Sequence, residues 1–286
     1  MQEALNQFGG FWTQHKIEIF IKYLFAYLEI MKNQRFKLIY FDGFAGCGRI
    51  EPENSGIEEN KFIESVALQV LGMEHPKLFD IYYVVDKHKK RSSALNALVK
   101  KKFPDLNAHV VRDDCNIRLI GMTDYMRQND QYRALAFIDP FGMNLKWSSI
   151  EICRNLGIDM WILIPTGVAV NRLLMRKQER IPESWLGKLE EFYGLPIVEL
   201  RSYFYREEER LTLFGSETHV QKIENAIHKA VELYKQRLGT VWKYVSTPFP
   251  MKNSAGSTMY HFVIATNYAS GFGIANDIIG KKLSQG

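Results

Sequence analysis

The stretch Phe36-Lys37-Leu38-Ile39-Tyr40-Phe41-Asp42-Gly43-Phe44-Ala45-Gly46-Cys47-Gly48 decides the fold of this 286-residue chain. Its first half is an apolar run of strand length, and a strand that is apolar at successive positions is buried on both faces. Its second half is an acid followed by G-x-x-G-x-G. Glycine reaches positive φ and has no side chain to hold a ligand off the backbone, so this is a turn that something can approach closely. The carboxylate of Asp42 beside the turn suits a ligand that carries a positive group next to an adenosine. It would repel a pyrophosphate.

Outward from this stretch, the helical and strand periods alternate. Upstream, Ile17, Phe20, Ile21, Leu24, Phe25, Leu28 and Met31 recur at the helical spacing over 16–31, with Thr13 as the expected N-cap. Downstream, a polar loop over 49–60 leads into an expected helix over 61–73, then a strand over 80–85 that ends at Asp86. A basic helix over 92–102 precedes a strand over 109–112, which ends at Asp113-Asp114. A helix over 119–129 precedes a strand over 134–138, which ends in Asp139-Pro140-Phe141-Gly142. A short helix over 148–155 and a fifth strand over 160–164 follow. Strands alternating with helices predict an α/β fold with a doubly wound, mostly parallel sheet.

After Thr166 the regularity breaks. The segment 168–209 reads as helices with no clear strand, 221–238 as an amphipathic helix, and 241–245 with 259–266 as a closing antiparallel hairpin. The expected organisation is an N-terminal helix region (1–35), an α/β core (36–166), a helical insertion beside the substrate end of the cleft (167–240), and a hairpin that completes the core sheet (241–286).

Composition bounds the class. Apolar residues make up 46%, charged residues 24% and aromatics 13%, which excludes a disordered or collagen-like chain. No apolar run reaches the roughly 18–20 residues of a spanning helix, and the N-terminus does not read as a secretory signal. Cys47, Cys115 and Cys153 form no C-x-x-C pair, so no zinc ribbon, iron–sulfur cluster or disulfide framework is expected, and the compartment reads as cytosol. No metal site is expected. The net charge is +5, yet the window 87–102 alone carries seven basic residues and no acid. Its Lys87, Lys89, Lys90, Arg91 and Lys100–Lys102 form either a solvated helix face or a patch that meets the phosphates of a nucleic acid.

In an open parallel sheet, ligands bind beyond the carboxyl ends of the strands, near the point where strand order reverses. Asp42, Asp86, Asp113/Asp114 and Asp139 all fall at such ends, where an acid must be solvated, paired or used. Asp86 has the chemistry to accept from both hydroxyls of a ribose.

Taken together, strand–DGFAGCG, strand–Asp, strand–DD, strand–DPF and a closing hairpin resemble the class I S-adenosylmethionine-dependent methyltransferase fold, over roughly residues 36–166 and 240–266. Three blocks resemble the three-Cys-motif partner (TcmP) family more narrowly: Trp12-Thr13-Gln14-His15-Lys16, Tyr40-Phe41-Asp42-Gly43-Phe44-Ala45-Gly46-Cys47-Gly48, and Phe137-Ile138-Asp139-Pro140-Phe141-Gly142. The resemblance implies S-adenosylmethionine as cofactor. Asp42 and the turn Gly43, Phe44, Ala45, Gly46 and Gly48 would line its methionine part. Asp86 would hold its ribose, and Asp114 with Cys115 would lie along its adenine.

It also implies a nucleic-acid base as substrate. In adenine amino-methyltransferases a [DN]PP[FYW] motif accepts from the target amine and stacks an aromatic on the extruded base. Here Asp139, Pro140 and Phe141 would take that part, with one proline in place of two. Lys16 would meet a phosphate or the cofactor carboxylate, and Lys89, Lys90 and Arg91 would meet substrate phosphates. The implied partner is a neighbouring protein with a three-Cys, radical-SAM-like motif.

Two other readings stand beside this one. The first is a non-catalytic methyltransferase-fold protein that holds cofactor or nucleic acid for such a partner. The second is a nicotinamide-linked oxidoreductase. Asp42 speaks against the latter, as do the 38 residues between Gly48 and Asp86, where the ribose acid normally lies about 20 residues on.

Overall fold

The computed structural model describes residues 11–47, 49–50, 63–170, 182–212, 215–222 and 225–285. Helix α1 (Phe11–Met31) leads into β1 (Lys37–Asp42). A short antiparallel pair, β2 (Arg49–Ile50) and β3 (Ile63–Glu64), precedes α2 (Val66–Leu71). The core continues as β4 (Ile81–Val85), α3 (Lys89–Lys102), β5 (Ala108–Val111), α4 (Cys115–Gln128), β6 (Tyr132–Ile138), α5 (Trp147–Glu151) and β7 (Ile158–Ile164). A single π-helical turn (Thr166–Val170) follows. Then come α6 (Glu183–Tyr193), α7 (Ile197–Phe204), the hairpin β8 (Tyr205–Thr212) and β9 (Gly215–Lys222), and α8 (Ala226–Leu238). The chain closes with β10 (Tyr244–Val245), β11 (Phe249–Lys252), β12 (Thr258–Thr266) and α9 (Ala269–Leu283).

Among the described residues an eight-stranded sheet runs β10-β12-β7-β6-β1-β4-β5, with β11 also on β12. Strands β5, β4, β1, β6 and β7 are parallel, and β12 is antiparallel to β7, β10 and β11. The chain moves outward from β1 to β4 and β5, then returns to the other side of β1 as β6. Strand order therefore reverses between β1 and β6, in the register Asp42↔Phe137.

The pleat divides the side chains between two cores. Leu38 and Tyr40 of β1 and Leu135 and Phe137 of β6 point to one face, with α1, α2, α3 and α9. Ile39 and Phe41 of β1 and Ala134, Ala136 and Ile138 of β6 point to the other, with α4 to α8. Successive residues of one strand are thus buried on opposite faces, which is the physical reason for the unbroken apolar runs. Helix α1 is held by Phe20, whose ring lies 4.6 Å from that of Phe137, and by Tyr23, 5.3 Å from Trp161.

Several expectations change. Thr13 lies inside α1, not at its cap. The buried stripe of α1 is rotated toward Ile19, Tyr23 and Tyr27, which leaves Phe25 half exposed. The helix expected over 61–73 is the shorter α2, capped by the Ser65 hydroxyl. The closing hairpin is three short strands, and the helix α9 that follows it had no counterpart in the sequence reading. The segment expected to be helical without strands contains the antiparallel hairpin β8–β9. Among the described residues no helix is long and apolar enough to cross a membrane.

Candidate active site

The reversal of strand order puts Asp42, at the end of β1, beside Asp139, just past β6. The turn after β1 is laid across the neighbouring strand ends: Gly43 N–H donates to Phe137 O (3.1 Å) and Ala45 N–H to Val85 O (3.0 Å). Gly46 has φ +70°, and nothing lies within 4 Å of where its Cβ would stand, so its backbone borders open space. Gly43 has a different reason to be glycine. A Cβ there would lie 2.4 Å from Cys115 Sγ and 3.0 Å from Ile138 Cδ1. Gly48 lies outside the described residues.

Asp42 is buried and accepts from Phe44 N–H (3.1 Å) and the Tyr40 hydroxyl (3.2 Å). Burial pushes its carboxyl up to about 7 against the Phe44 hydrogen bond. The charge of Asp139 adds to the rise, and Tyr40 and Lys16 oppose it. Lys16 is only 6% exposed and its ammonium is bonded to Asp139 Oδ2, 6.0 Å from the centroid of the Phe137 ring. The ammonium expected to meet a phosphate or a cofactor carboxylate is here paired with the acid of the DPF motif.

Asp86 is held from both sides. Gly46 N–H donates to Oδ2 (3.0 Å) and His88 N–H to Oδ1 (2.7 Å), while Arg91 Nε lies 3.0 and 3.2 Å from the two oxygens. The Arg91 guanidinium also lies 5.4 Å from the centroid of the Phe141 ring. Arg91, expected to meet a substrate phosphate, therefore turns toward Asp86 and lies between β4 and the DPF loop. Lys89 and Lys90, two and one residues earlier, are exposed.

Asp114 caps α4 through Asn116 N–H (2.9 Å) and pairs with Lys87 (3.1 Å). Burial would raise its carboxyl, but Asn116 and Lys87 outweigh that and hold it below the ordinary carboxylate range. Asp113 pairs with Arg118 (2.6 Å). The Cys115 thiol is buried against Gly43, and burial pushes its pKa well up.

The DPF loop is clamped at its far end. Asn116, buried on α4, accepts from Lys146 N–H (2.8 Å) and the Ser149 hydroxyl (2.7 Å), and donates to Asn144 O (2.9 Å). Between the clamp and the Lys16 pair, Pro140 is buried, Phe141 is 38% exposed, and Gly142 turns with φ +61°. At the end of β7, Thr166 Oγ1 lies 2.8 Å from His261 Nδ1. Burial lowers this imidazole to about 4, so it is neutral at physiological pH. The sequence reading missed His261 because it sits mid-strand with no motif around it. It missed the inward turn of Arg91 because a run of basic residues gives no direction to any one of them.

The described helices α6, α7 and α8 pack on the face opposite α1, through Trp147, Phe192, Tyr193 and Tyr234. The helix that reaches Asp139 is α1. Of the segment 168–237 expected to wall the substrate end, Glu191 on α6 pairs with Lys146 at the far end of the DPF loop (2.9 Å), and residues 171–181 lie outside the described residues. Among the described residues no group of His, Cys, Asp and Glu is placed to hold a metal ion.

No protein-family model matches the chain, and no curated protein matches it. Among solved structures it is similar to a Legionella pneumophila str. Philadelphia 1 protein of family DUF519, at 12% identity and TM-score 0.49, over 97% of this chain and 93% of that one. It is also similar to Trm1 from Pyrococcus horikoshii, solved with S-adenosyl-L-methionine, at 12% identity and TM-score 0.37, over 89% of this chain and 63% of that one. A third is the plantazolicin methyltransferase BpumL in complex with a triazolic desmethylPZN analog and SAH, at 10% identity and TM-score 0.35, over 90% and 86%. The fold is a doubly wound α/β fold with a mainly parallel sheet and antiparallel strands at its C-terminal end. At these identities the likeness speaks of fold alone, and with TM-scores below one half it gives no residue of this chain a role.

Proposed function

We propose that this chain is an S-adenosylmethionine-dependent methyltransferase that acts on an amino group of a nucleic-acid base. One observation carries the reading. Asp42, Asp86 and Asp139 converge beyond β1, β4 and β6 at the reversal of strand order, with the exposed ring of Phe141 beside Asp139.

The residues fit the cofactor on a test of donor chemistry. Two backbone N–H groups hold Asp86 in place, and its outward side is met by the half-exposed Arg91, which a diol would have to displace. The carboxylate then offers two acceptor oxygens to a pair of vicinal hydroxyls, the chemistry of a ribose. Asp42 presents a buried carboxyl, about half ionised at neutral pH, at the start of the turn. S-adenosylmethionine would supply an electrophilic methyl group. The chain's own work is positioning, which such a displacement needs more than a strong base. Lys16 keeps Asp139 oriented as an acceptor for the amine N–H, Phe141 offers a stacking face, and Lys89 and Lys90 offer charge to phosphates.

The TcmP-like blocks support a second reading, a holder of cofactor or nucleic acid for a three-Cys, radical-SAM-like partner. The observation in its favour is that both outward acids already have cationic partners, Asp86 with Arg91 and Asp139 with Lys16. Methyl transfer from labelled S-adenosylmethionine to tRNA, rRNA and DNA pools separates the two. The enzyme reading expects label in base amines, lost in Asp139→Ala. Cofactor binding with no label in any pool would favour the holder.

A further inference from the structure

A second cavity lies at the other end of the sheet, under the start of β6 and β7. It has a volume of about 250 Å³ and is bordered by Tyr23, Tyr27, Phe36, Arg133, Asp159 and Tyr268, among others. Its walls come from the lower half of α1, the first turn of α9 and the amino ends of the strands, so it shares no residue with the candidate active site.

The polar groups in this cavity are not all spoken for. Asp159 is buried and accepts from Tyr23 Oη (2.7 Å) and Thr266 Oγ1 (2.5 Å), which leaves a lone pair on each oxygen. Tyr27 is 8% exposed, and its buried hydroxyl has no hydrogen-bond partner among the described residues. Arg133 stacks its guanidinium 3.7 Å from the centroid of Phe36, spends Nη1 on two carbonyls, and has a buried Nε–H with no partner among the described residues. Tyr27, Arg133 and Asp159 all line this one cavity. Leaving a buried donor or acceptor unmade costs roughly 1–3 kcal/mol per group, and a folded chain seldom carries two around one cavity without a partner for them. The wall includes a buried glycine, Gly271. A Cβ at Gly271 would lie 2.8 Å from Tyr23 Oη and 3.4 Å from Asp159 Oδ2.

We propose that this cavity binds a free nucleobase or a similar planar heteroaromatic that carries an acceptor and an N–H donor on one edge. Aromatic walls from Tyr23, Tyr27, Phe36 and Tyr268 suit a flat ring. The Arg133 Nε–H supplies a donor, Asp159 supplies an acceptor, and the Tyr27 hydroxyl serves as either. One cation and one acid give the cavity no net charge, which disfavours a charged ligand. The volume lies below the roughly 300–1,000 Å³ of sites for drug-sized molecules, so the ligand is base-sized and not nucleotide-sized.

The test is saturation-transfer NMR and calorimetry on the full chain with adenine, hypoxanthine, uracil, cytosine and nicotinamide as probes. At least one should bind. Tyr27→Phe should weaken it about tenfold, the loss of one hydrogen bond. Ser270→Trp, a substitution at an exposed position on the rim, should abolish it. Excess S-adenosylhomocysteine and the Asp86→Ala variant should leave it unchanged, because the other site is at the far end of the strands. No signal from any probe at millimolar concentration would overturn the proposal and leave an empty packing void. So would binding that S-adenosylhomocysteine displaces, or that neither Tyr27→Phe nor Ser270→Trp affects.

Discussion

The ammonium of Lys16, on α1, is bonded to the carboxylate of Asp139, 123 residues away at the end of β6. This pair joins the first helix to the loop that carries Phe141, across the point where strand order reverses. Lys16 is nearly buried while Asp139 keeps some access to water, so an orphaned Asp139 can recover part of its hydration.

Lys16→Met should therefore cost about 1–3 kcal/mol, the range for a hydrogen bond to a charged group, and not the larger loss of a fully buried pair. A double-mutant cycle with Asp139→Asn, followed by urea unfolding, measures the coupling. A coupling energy below about 0.5 kcal/mol would mean the two groups act independently.

Asp42 gives a pH signature whose sign follows from burial. Its carboxyl titrates near 7 in the folded chain and near 3.8 when unfolded, so between those values the native state binds more protons. Stability should fall as pH rises through that window, by roughly 1.4 kcal/mol per pH unit from this group, and level off above about 7. Asp42→Asn can keep the Phe44 and Tyr40 contacts without the charge. It should flatten the window and be the more stable protein at pH 8. Chemical denaturation at closely spaced pH values checks this, and an unchanged slope in Asp42→Asn would contradict it.

Arg91 and its neighbours should behave oppositely. Arg91 covers the side of Asp86 that a diol would need, so Arg91→Ala should tighten S-adenosylhomocysteine binding by about three- to tenfold. Lys89→Ala with Lys90→Ala should leave that affinity alone and reduce the salt slope of single-stranded nucleic-acid binding by about 1.4. Calorimetry and filter binding at several salt concentrations separate the two effects.

The contact between Gly43 and Cys115 makes a pairwise test. Gly43→Ala forces a methyl against Cys115 Sγ, which must shift in a buried, packed site. The substitution should destabilise by about 1–3 kcal/mol, and Cys115→Ala in the same chain should restore part of the loss. Thermal unfolding of the three variants suffices. Additive losses would show that the clash is not with the sulfur.

Strand positions were legible because burial on both faces leaves an unbroken apolar signal at β1, β4, β6 and β7, and because an acid closes each of β1, β4 and β6. The acids at those ends were legible for the same reason. Their partners were not. Nothing in the sequence ties Lys16 to Asp139 or turns Arg91 toward Asp86, since both pairings depend on how a helix is docked on the sheet. The hairpin β8–β9 escaped because its strands, Tyr-Arg-Glu-Glu-Glu-Arg-Leu-Thr and Gly-Ser-Glu-Thr-His-Val-Gln-Lys, are largely polar and carry no buried-strand pattern. Helix α9 escaped because three glycines interrupt its apolar period at 271, 273 and 280.

The central claim is that the ends of β1 and β4 form a site for S-adenosylmethionine, and titration calorimetry with S-adenosylhomocysteine tests it most directly. The account expects saturable one-to-one binding. It also expects a loss of about 1.5–3 kcal/mol in Asp86→Ala and no heat with NAD. Binding of NAD with none of S-adenosylhomocysteine, or equal S-adenosylhomocysteine affinity in Asp86→Ala, would contradict it.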